Sequence, residues 1–203
     1  FLLGLGVSHE HLVSKVRHHD YSRPYSGMVE YLDGMESAYF FGPKGDVPAQ
    51  TVLAALGPKM LELAGTRTAG AHPYFVPPEH TELARRTMGE GPLLAVEQMA
   101  VLETDPATAR EVARTNMAIY MGLPNYTNNL RRLGWSEEDL ADGGSDALVD
   151  AIVVWGSTED VRARVQAHLD AGADHVCVQT LRMDPNEVPV EDWRELSSAL
   201  GLT

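Results

Sequence analysis

The side chains whose type and spacing suit chemistry stand at the ends of apolar runs. His9 closes the run Phe1-Leu2-Leu3-Gly4-Leu5-Gly6-Val7-Ser8. An imidazole titrates near neutrality, so at such an end it can give or accept a proton; a surface histidine is the competing reading. Leu56-Gly57-Pro58-Lys59 closes a second run. There a glycine turns the chain, a proline opens a helix and a lysine follows. Free amides at a helix start beside a cation suit a phosphate, although an ordinary strand-to-helix turn has the same residues. Thr68-Ala69-Gly70-Ala71-His72-Pro73-Tyr74 forms a third end, with small residues and then a histidine and a tyrosine. Its small side chains leave room for a ligand, and His72 can hydrogen-bond a phosphate or a carbonyl; a structural histidine is the alternative. Gly4 and Gly6 lack the third spaced glycine of a dinucleotide fingerprint, but glycine lets a flat ring approach the backbone closely.

Other candidates carry less. His11, His18 and His19 cluster without a carboxylate at ligand spacing, which argues against a zinc site. Cys177 is the single cysteine, which rules out an internal disulfide. It sits between Val176 and Val178 and reads as a buried, inert thiol in a strand. Tyr25, Tyr120 and Tyr126 read as packing groups. No nucleophile elbow or P-loop is present.

These groups need elements that bring them together. The apolar runs from Phe1, Thr51 to Gly57, Thr68 to Val76, Leu93 to Leu102 and His175 to Leu181 read as five strands. Helices are expected between them: one capped by Ser22 with Pro24 in its first turn and Met28, Leu32 and Met35 on one face; one from Pro58 to a stop at Gly65; and Glu79 to Met88. Beyond the fourth strand come Asp105 to about Met121, Pro124 to Leu133, a short acidic helix from Ser136, and Asp146 to Val154. Ser157 caps a helix with Val161, Val165 and Leu169 inward, and Glu191 to Leu200 is the last. His9 to His19 is a helix or an ordered loop, and Gly42 to Asp46 a turn. Strands alternating with helices predict a parallel sheet with helical crossovers, either doubly wound or a β/α barrel. A full eight-stranded barrel takes about 250 residues. The chain opens on Phe1 inside a strand, so residues are expected upstream.

Composition narrows the partners. The chain has 203 residues, 44% of them hydrophobic, enough for one domain with a large core. Its 29 acidic and 16 basic residues give a net charge of −13, with only three lysines. That balance disfavours nucleic acid and anionic membrane surfaces. Residues 136–160 carry eight carboxylates and no Lys or Arg. This is the pattern of a solvated surface segment, or of a docking surface for a basic partner. No run of about 18 apolar residues occurs and no signal peptide is visible, so a cytoplasmic location is expected.

The segments FLLGLGVSH, TVLAALGPKMLELAGTRTAGAHPYFV and WGSTEDVRARVQAHLDAGADHVCVQ, in that order, resemble the luciferase-like monooxygenase superfamily, and within it the coenzyme F420-dependent oxidoreductase branch. ALGPKMLELAGTRTAGAH is the most specific part. The resemblance covers nearly the whole chain and the carboxyl-terminal two thirds of the family's usual length. It implies a TIM (β/α)8 barrel of the luciferase-like type, here about the last five strands, as a single domain over 1–203. The opening strand would be the fourth of the barrel, and 136–156 an acidic variable insertion. It implies coenzyme F420, or alternatively FMN, at the barrel's carboxyl-terminal face. Gly6, Val7 and Ser8 would lie against the ring or its ribityl chain. Leu56, Gly57, Pro58 and Lys59, with Gly70, Ala71 and His72, would surround the ribityl and phosphate groups. His9 stands where relatives place a polar or acidic active-site residue, which makes it the candidate catalytic group. The implied activity is hydride transfer between F420 and a small organic substrate. The alternatives are an FMN-dependent monooxygenase or, in another class, a non-catalytic barrel remnant or binding subunit. A homo-oligomer is expected, with Met28, Leu32 and Met35 as possible contacts.

Overall fold

The computed structural model describes residues 1–39, 41–43, 45–46 and 49–202; Lys44, in the expected turn from Gly42 to Asp46, lies outside them. Six parallel strands form one sheet: β1 (Leu2–Leu5), β2 (Gln50–Leu53), β3 (Gly70–Ala71), β4 (Leu93–Val101), β5 (Val153–Trp155) and β6 (His175–Thr180). β1, β2, β3 and β4 lie side by side in that order. The backbone of β4 then divides its neighbours. Glu97 N donates to Pro73 O and Val101 O accepts from Gly156 N, whereas Leu94 O and Ala100 O accept from Asp174 N and Leu181 N. Alternate residues of a strand point their backbone groups to opposite edges, so β3 and β5 share one edge of β4 and β6 takes the other. Among the described residues β1 and β6 do not pair, and the sheet is an arc of a barrel.

Register sets the rim. Leu5 is level with Leu53, and Leu53 with Ala71. The chain segments following β1, β2 and β3 therefore leave the sheet together, at its carboxyl-terminal edge.

Nine α-helices accompany the strands among the described residues: α1 (Pro24–Ser37), α2 (Pro58–Arg67), α3 (Pro78–Met88), α4 (Pro106–Met121), α5 (Pro124–Arg132), α6 (Glu137–Leu140), α7 (Asp146–Ile152), α8 (Thr158–Asp170) and α9 (Val190–Ala199). The first five each begin on proline, whose missing N–H costs nothing in a first turn. Asp105 accepts from Thr108 N, and Ser136 and Ser157 each close a capping box with the aspartate three residues on.

β4 is buried along nearly its whole length because both of its faces are covered. Leu94 and Val96 pack with Leu53, Leu61, Ala64 and Met28 beneath α1, α2 and α3. Met99 and Val101, on the opposite face, pack with Val112, Met117, Leu130, Leu148 and Ile152 of α4, α5 and α7. A polar chain crosses the interior between β4 and two helices. Thr81 Oγ1 and His168 Nδ1 are 2.8 Å apart, His168 Nε2 and Gln98 Oε1 are 2.8 Å apart, and Gln98 Nε2 donates to Ile152 O at 2.9 Å. Both ring nitrogens of His168 are thus satisfied although the residue is fully buried.

The structure corrects several expectations. There are six strands where five are expected. The helix expected to run to Val154 stops at Ile152, and the β-branched pair Val153-Val154 goes into β5 beside Met99 and Ala100. The strand expected over Thr68 to Val76 shrinks to Gly70–Ala71, because Pro73 has no N–H to pair and Phe75 has a φ of +60°. Ser22 does not cap α1; its backbone N and Oγ donate to the Asp20 carboxylate instead. On α8, His168 is buried and Leu169 is exposed. Met28 and Leu32 lie in the core and are unavailable for contact with another molecule, leaving Met35 exposed. His11–Val16 forms a wide helical stretch, with Arg17 N bonded to Leu12 O.

Candidate active site

At the rim, β1 gives way to Gly6 and Val7, and Ser8 takes a φ of +60° with its carbonyl accepting from Tyr21 Oη at 2.7 Å. A Cβ at Gly6 would meet Ala54 Cβ at 3.2 Å, so glycine lets β1 and β2 end in close contact. Gly6 and Val7 also line a cleft of about 360 Å³ shared with Val13, Tyr21 and Met28. His9 follows, with Nδ1 3.2 Å from Asn125 Oδ1 and its ring 5.8 Å from that of Tyr126. Asn125 and Tyr126 belong to the first turn of α5, which therefore reaches across the rim to β1. In the tautomer that carries its proton on Nδ1 the imidazole donates to this amide oxygen, and Nε2 is then available to accept or deliver a second proton.

Beside His9 stands an aromatic wall. Tyr74 Oη donates to Gln179 Oε1 at 2.6 Å and lies 2.9 Å from Tyr120 Oη. Phe75 stacks on Tyr120 with centroids 5.1 Å apart and meets Tyr126 edge-on at 5.5 Å. Burial raises the phenol of Tyr74 far above its ordinary range and that of Tyr126 to about 12. Both are neutral hydroxyls at any physiological pH. Under the wall lies Glu97, 4% exposed, whose Oε2 accepts from Phe75 N at 3.1 Å. Burial pushes its carboxyl up to about 7.

The second strand end presents Gly57 immediately before α2. The cation beside it is Arg132, from the last turn of α5: a Cβ at Gly57 would lie 3.5 Å from Arg132 Nη2. Arg132 donates to Asn129 Oδ1 at 3.0 Å and has no carboxylate partner among the described residues. Lys59 is exposed and makes no hydrogen bond among them, and Pro58 is exposed too. Leu56 O accepts from His80 Nε2 at 2.9 Å. At the third end, Gly70 and Ala71 are buried within β3, and His72 Nδ1 is 2.8 Å from Ala95 O.

The structure thus brings Gly6, Val7, Ser8, His9, Leu56, Gly57 and His72 to one edge, places Gly70 and Ala71 one step below it, and points Lys59 outward. Tyr74, expected at the third strand end, joins this wall, whereas Glu97, Tyr120, Asn125, Arg132 and Gln179 were not singled out as site residues from the sequence. Only Glu97 carried a signal there, as the lone charge in an otherwise apolar strand apart from Gln98. The others come from helices and a strand whose position against the rim is tertiary. Among the described residues no group of three His, Cys, Asp or Glu residues is placed to hold a metal, and no helix is long and apolar enough to cross a membrane.

The profile of the family described as luciferase-like monooxygenase matches residues 1–175. The chain belongs to that family. Among solved structures, an F420-dependent secondary alcohol dehydrogenase in complex with an F420–acetone adduct is similar with a TM-score of 0.67 and 15% identity over 97% of this chain and 68% of that one. A coenzyme F420-dependent tetrahydromethanopterin reductase from Methanopyrus kandleri gives 0.66 and 20% over 97% and 72%. A long-chain alkane monooxygenase gives 0.51 and 11% over 100% and 69%. These likenesses concern the fold, and they make the arc a portion of a luciferase-like TIM barrel. No curated protein matches the chain. For a luciferase-like chain the rim is the face of interest, since side chains from several strand ends converge there.

Proposed function

We propose that this chain forms the cofactor-binding part of an oxidoreductase that transfers a hydride between coenzyme F420 and a small organic substrate. The observation that carries the reading is the pairing of His9 with Asn125 at the same edge where Arg132 flanks Gly57. One end of the rim suits a phosphate and the other suits a proton transfer. F420-dependent enzymes among the similar folds support the choice of cofactor; FMN is the alternative, since a flavin phosphate would use the same end.

The residues present fit such a group. The open backbone at Gly6 and Val7 accommodates a flat ring, and the amides of α2 with the Arg132 guanidinium suit its phosphate. Once bound, the cofactor supplies or takes the hydride. The chain's own part is to bind, orient and handle the proton. His9 Nδ1 stays engaged with Asn125, and Nε2, when protonated, delivers its proton to a substrate oxygen as hydride reaches the adjoining carbon. In the reverse direction Nε2 accepts that proton. The phenols of Tyr74 and Tyr120, uncharged and partly buried, help keep water from the reacting atoms.

Three results are expected. Arg132→Ala should weaken binding of the phosphate-bearing cofactor about 10- to 100-fold, the loss of roughly 1.5–3 kcal/mol typical of hydrogen bonds to a charged group. Lys59→Ala should change it by less than about threefold, as for an exposed charge. Absorbance titrations with F420 and with FMN measure both and separate the two cofactors by their spectra. Equal losses in the two variants would place the phosphate elsewhere. His9→Ala should leave the cofactor dissociation constant in place and slow single-turnover hydride transfer about 10²- to 10⁴-fold, read by stopped-flow absorbance with small ketones and alcohols as substrates. An unchanged rate would remove His9 from the chemistry.

A further inference from the structure

β4 holds two polar residues side by side, Glu97 and Gln98, which face opposite ways. Gln98 is bonded on all sides in the Thr81–His168 network. Glu97 faces the aromatic wall, level with Cys177 on β6. Its contacts converge on one turn, the four residues His72 to Phe75 that leave β3. Glu97 N donates to Pro73 O at 3.1 Å, and Glu97 Oε2 accepts from Phe75 N at 3.1 Å. Two residues earlier, Ala95 O is bonded to His72 Nδ1. Phe75 has a φ of +60°, a conformation that a bulky side chain adopts only when its surroundings hold it there. The turn so held carries Tyr74 to Gln179 and Tyr120 and packs the Phe75 ring on Tyr120 and Tyr126. The other carboxyl oxygen, Oε1, is buried and has no hydrogen-bond partner among the described residues.

We propose that Glu97 is a positioning residue of the rim, held as the neutral acid, whose carboxyl keeps the His72–Phe75 turn in the strained conformation that sets Tyr74 and Phe75 against the site. A buried, half-bonded carboxylate is far costlier than the same group protonated, and the upward shift of its titration agrees. The groups that face it are Tyr74 from the turn, Tyr126 from α5 and Cys177 from β6; burial raises the titration of all three, and the charge of an ionised Glu97 adds to it. Among the described residues no cation offsets that charge. Ionisation therefore puts an unbalanced negative charge beneath the wall and weakens binding of a negatively charged cofactor at the rim. The functional part of this inference rests on the reading of the rim as the cofactor face.

The test compares wild type with Glu97→Gln and Glu97→Leu, using the ¹H–¹⁵N signal of the Phe75 amide across pH 5 to 9 and the cofactor dissociation constant over the same range. In the unliganded wild type the Phe75 amide shift is expected to titrate around neutrality. Glu97→Gln keeps an acceptor for Phe75 N, abolishes that titration and holds cofactor binding within about threefold of the low-pH wild-type value at every pH. Glu97→Leu loses the acceptor and weakens binding tenfold or more. A wild-type Phe75 amide that does not titrate, or Glu97→Leu binding as tightly as wild type, overturns the proposal. If Glu97→Leu fails to fold, the Glu97→Gln titration decides alone. If wild type binds neither F420 nor FMN, the reading of the rim falls, and the Phe75 signal still decides whether Glu97 holds the turn.

Discussion

Gly70→Ala is expected to cost the fold about 4 kcal/mol, and in a marginally stable chain to abolish cooperative unfolding altogether. A Cβ on Gly70 would stand 1.9 Å from Leu93 O and 2.6 Å from Leu93 C. The obstacle is backbone, so no side chain can swing aside. Relief requires β3 to move off β4 and breaks the pairings of Gly70 with Leu93 and Ala71 with Leu94. Overpacking by one methyl costs roughly 1–3 kcal/mol where side chains can adjust; here lost sheet hydrogen bonds add to it, and the φ of +156° disfavours any residue with a Cβ. Gly4 is the control. It also lies in a strand of the same sheet, but no atom lies within 4 Å of its Cβ position, so Gly4→Ala should shift stability by less than about 0.5 kcal/mol. Urea denaturation followed by circular dichroism reads both. Similar losses in the two variants would mean that the close contact of β3 and β4 is not what Gly70 secures.

That glycine also shows where the sequence stops being informative. Its smallness is visible, and it invites a reading as space for a ligand; only the position of Leu93 shows that the space is taken by the next strand. The strand and helix order was legible because continuous apolar runs alternating with proline-led helices have one economical arrangement, a parallel sheet with crossovers. Luciferase-like membership was legible from the motif segments, and the family profile bears it out. What was not legible were short elements decided by neighbours. Val153 to Trp155 has the composition of a helix end or a strand, and pairing with Met99 to Val101 decides it. Thr68 to Val76 has strand composition, and Phe75 is turned out of it with its N–H donating to the carboxyl of Glu97, which lies 22 residues away in the chain.

The site divides along the same line. Residues at strand ends, His9 and Gly57 among them, could be placed on a common edge by counting strands. Residues contributed by α5 could not. Asn125 and Arg132 sit seven positions apart, close to two helical turns, so they share a face of α5. That face meets His9 at one end and Gly57 at the other. Nothing in the helix's own sequence says that it spans the rim. Lys59 drew attention because it follows Gly57 in sequence, while the guanidinium beside Gly57 arrives from 75 residues further along the chain.

Two buried groups should give the protein opposing pH dependences, visible once either is removed. His168 is held neutral, its titration pushed from the ordinary 6.5 to about 4 by burial first and then by the nearby Arg164 and His80. Glu97 is held protonated, moved from 4.5 to about 7 by burial. Between about pH 4 and 6.5 the unfolded chain binds a proton at residue 168 that the folded chain refuses, so this group makes stability rise with pH. Between about pH 4.5 and 7 the folded chain keeps a proton on Glu97 that the unfolded chain has released, so this group makes stability fall with pH. Each shift spans about 2.5 units, worth about 3 kcal/mol at roughly 1.4 kcal/mol per unit. His80, also shifted downward by burial, acts in the same sense as His168. Relative to wild type, Glu97→Gln should therefore gain up to about 3 kcal/mol as pH rises from 4.5 to 7 and hold that gain above it. His168→Gln starts from a loss, since it disturbs the bonds to Thr81 and Gln98. Its difference from wild type should nevertheless shrink by about 3 kcal/mol as pH falls from 6.5 to 4. Urea unfolding at half-unit pH intervals measures both differences. A Glu97→Gln difference that stays constant from pH 4.5 to 7.5 would mean that Glu97 is ionised in the folded chain, and the neutral acid beneath the aromatic wall would have to be given up with it. The two residues face opposite sides of the sheet at β4, one through its own side chain and the other through Gln98, so their effects should add in the double variant to within about 0.5 kcal/mol.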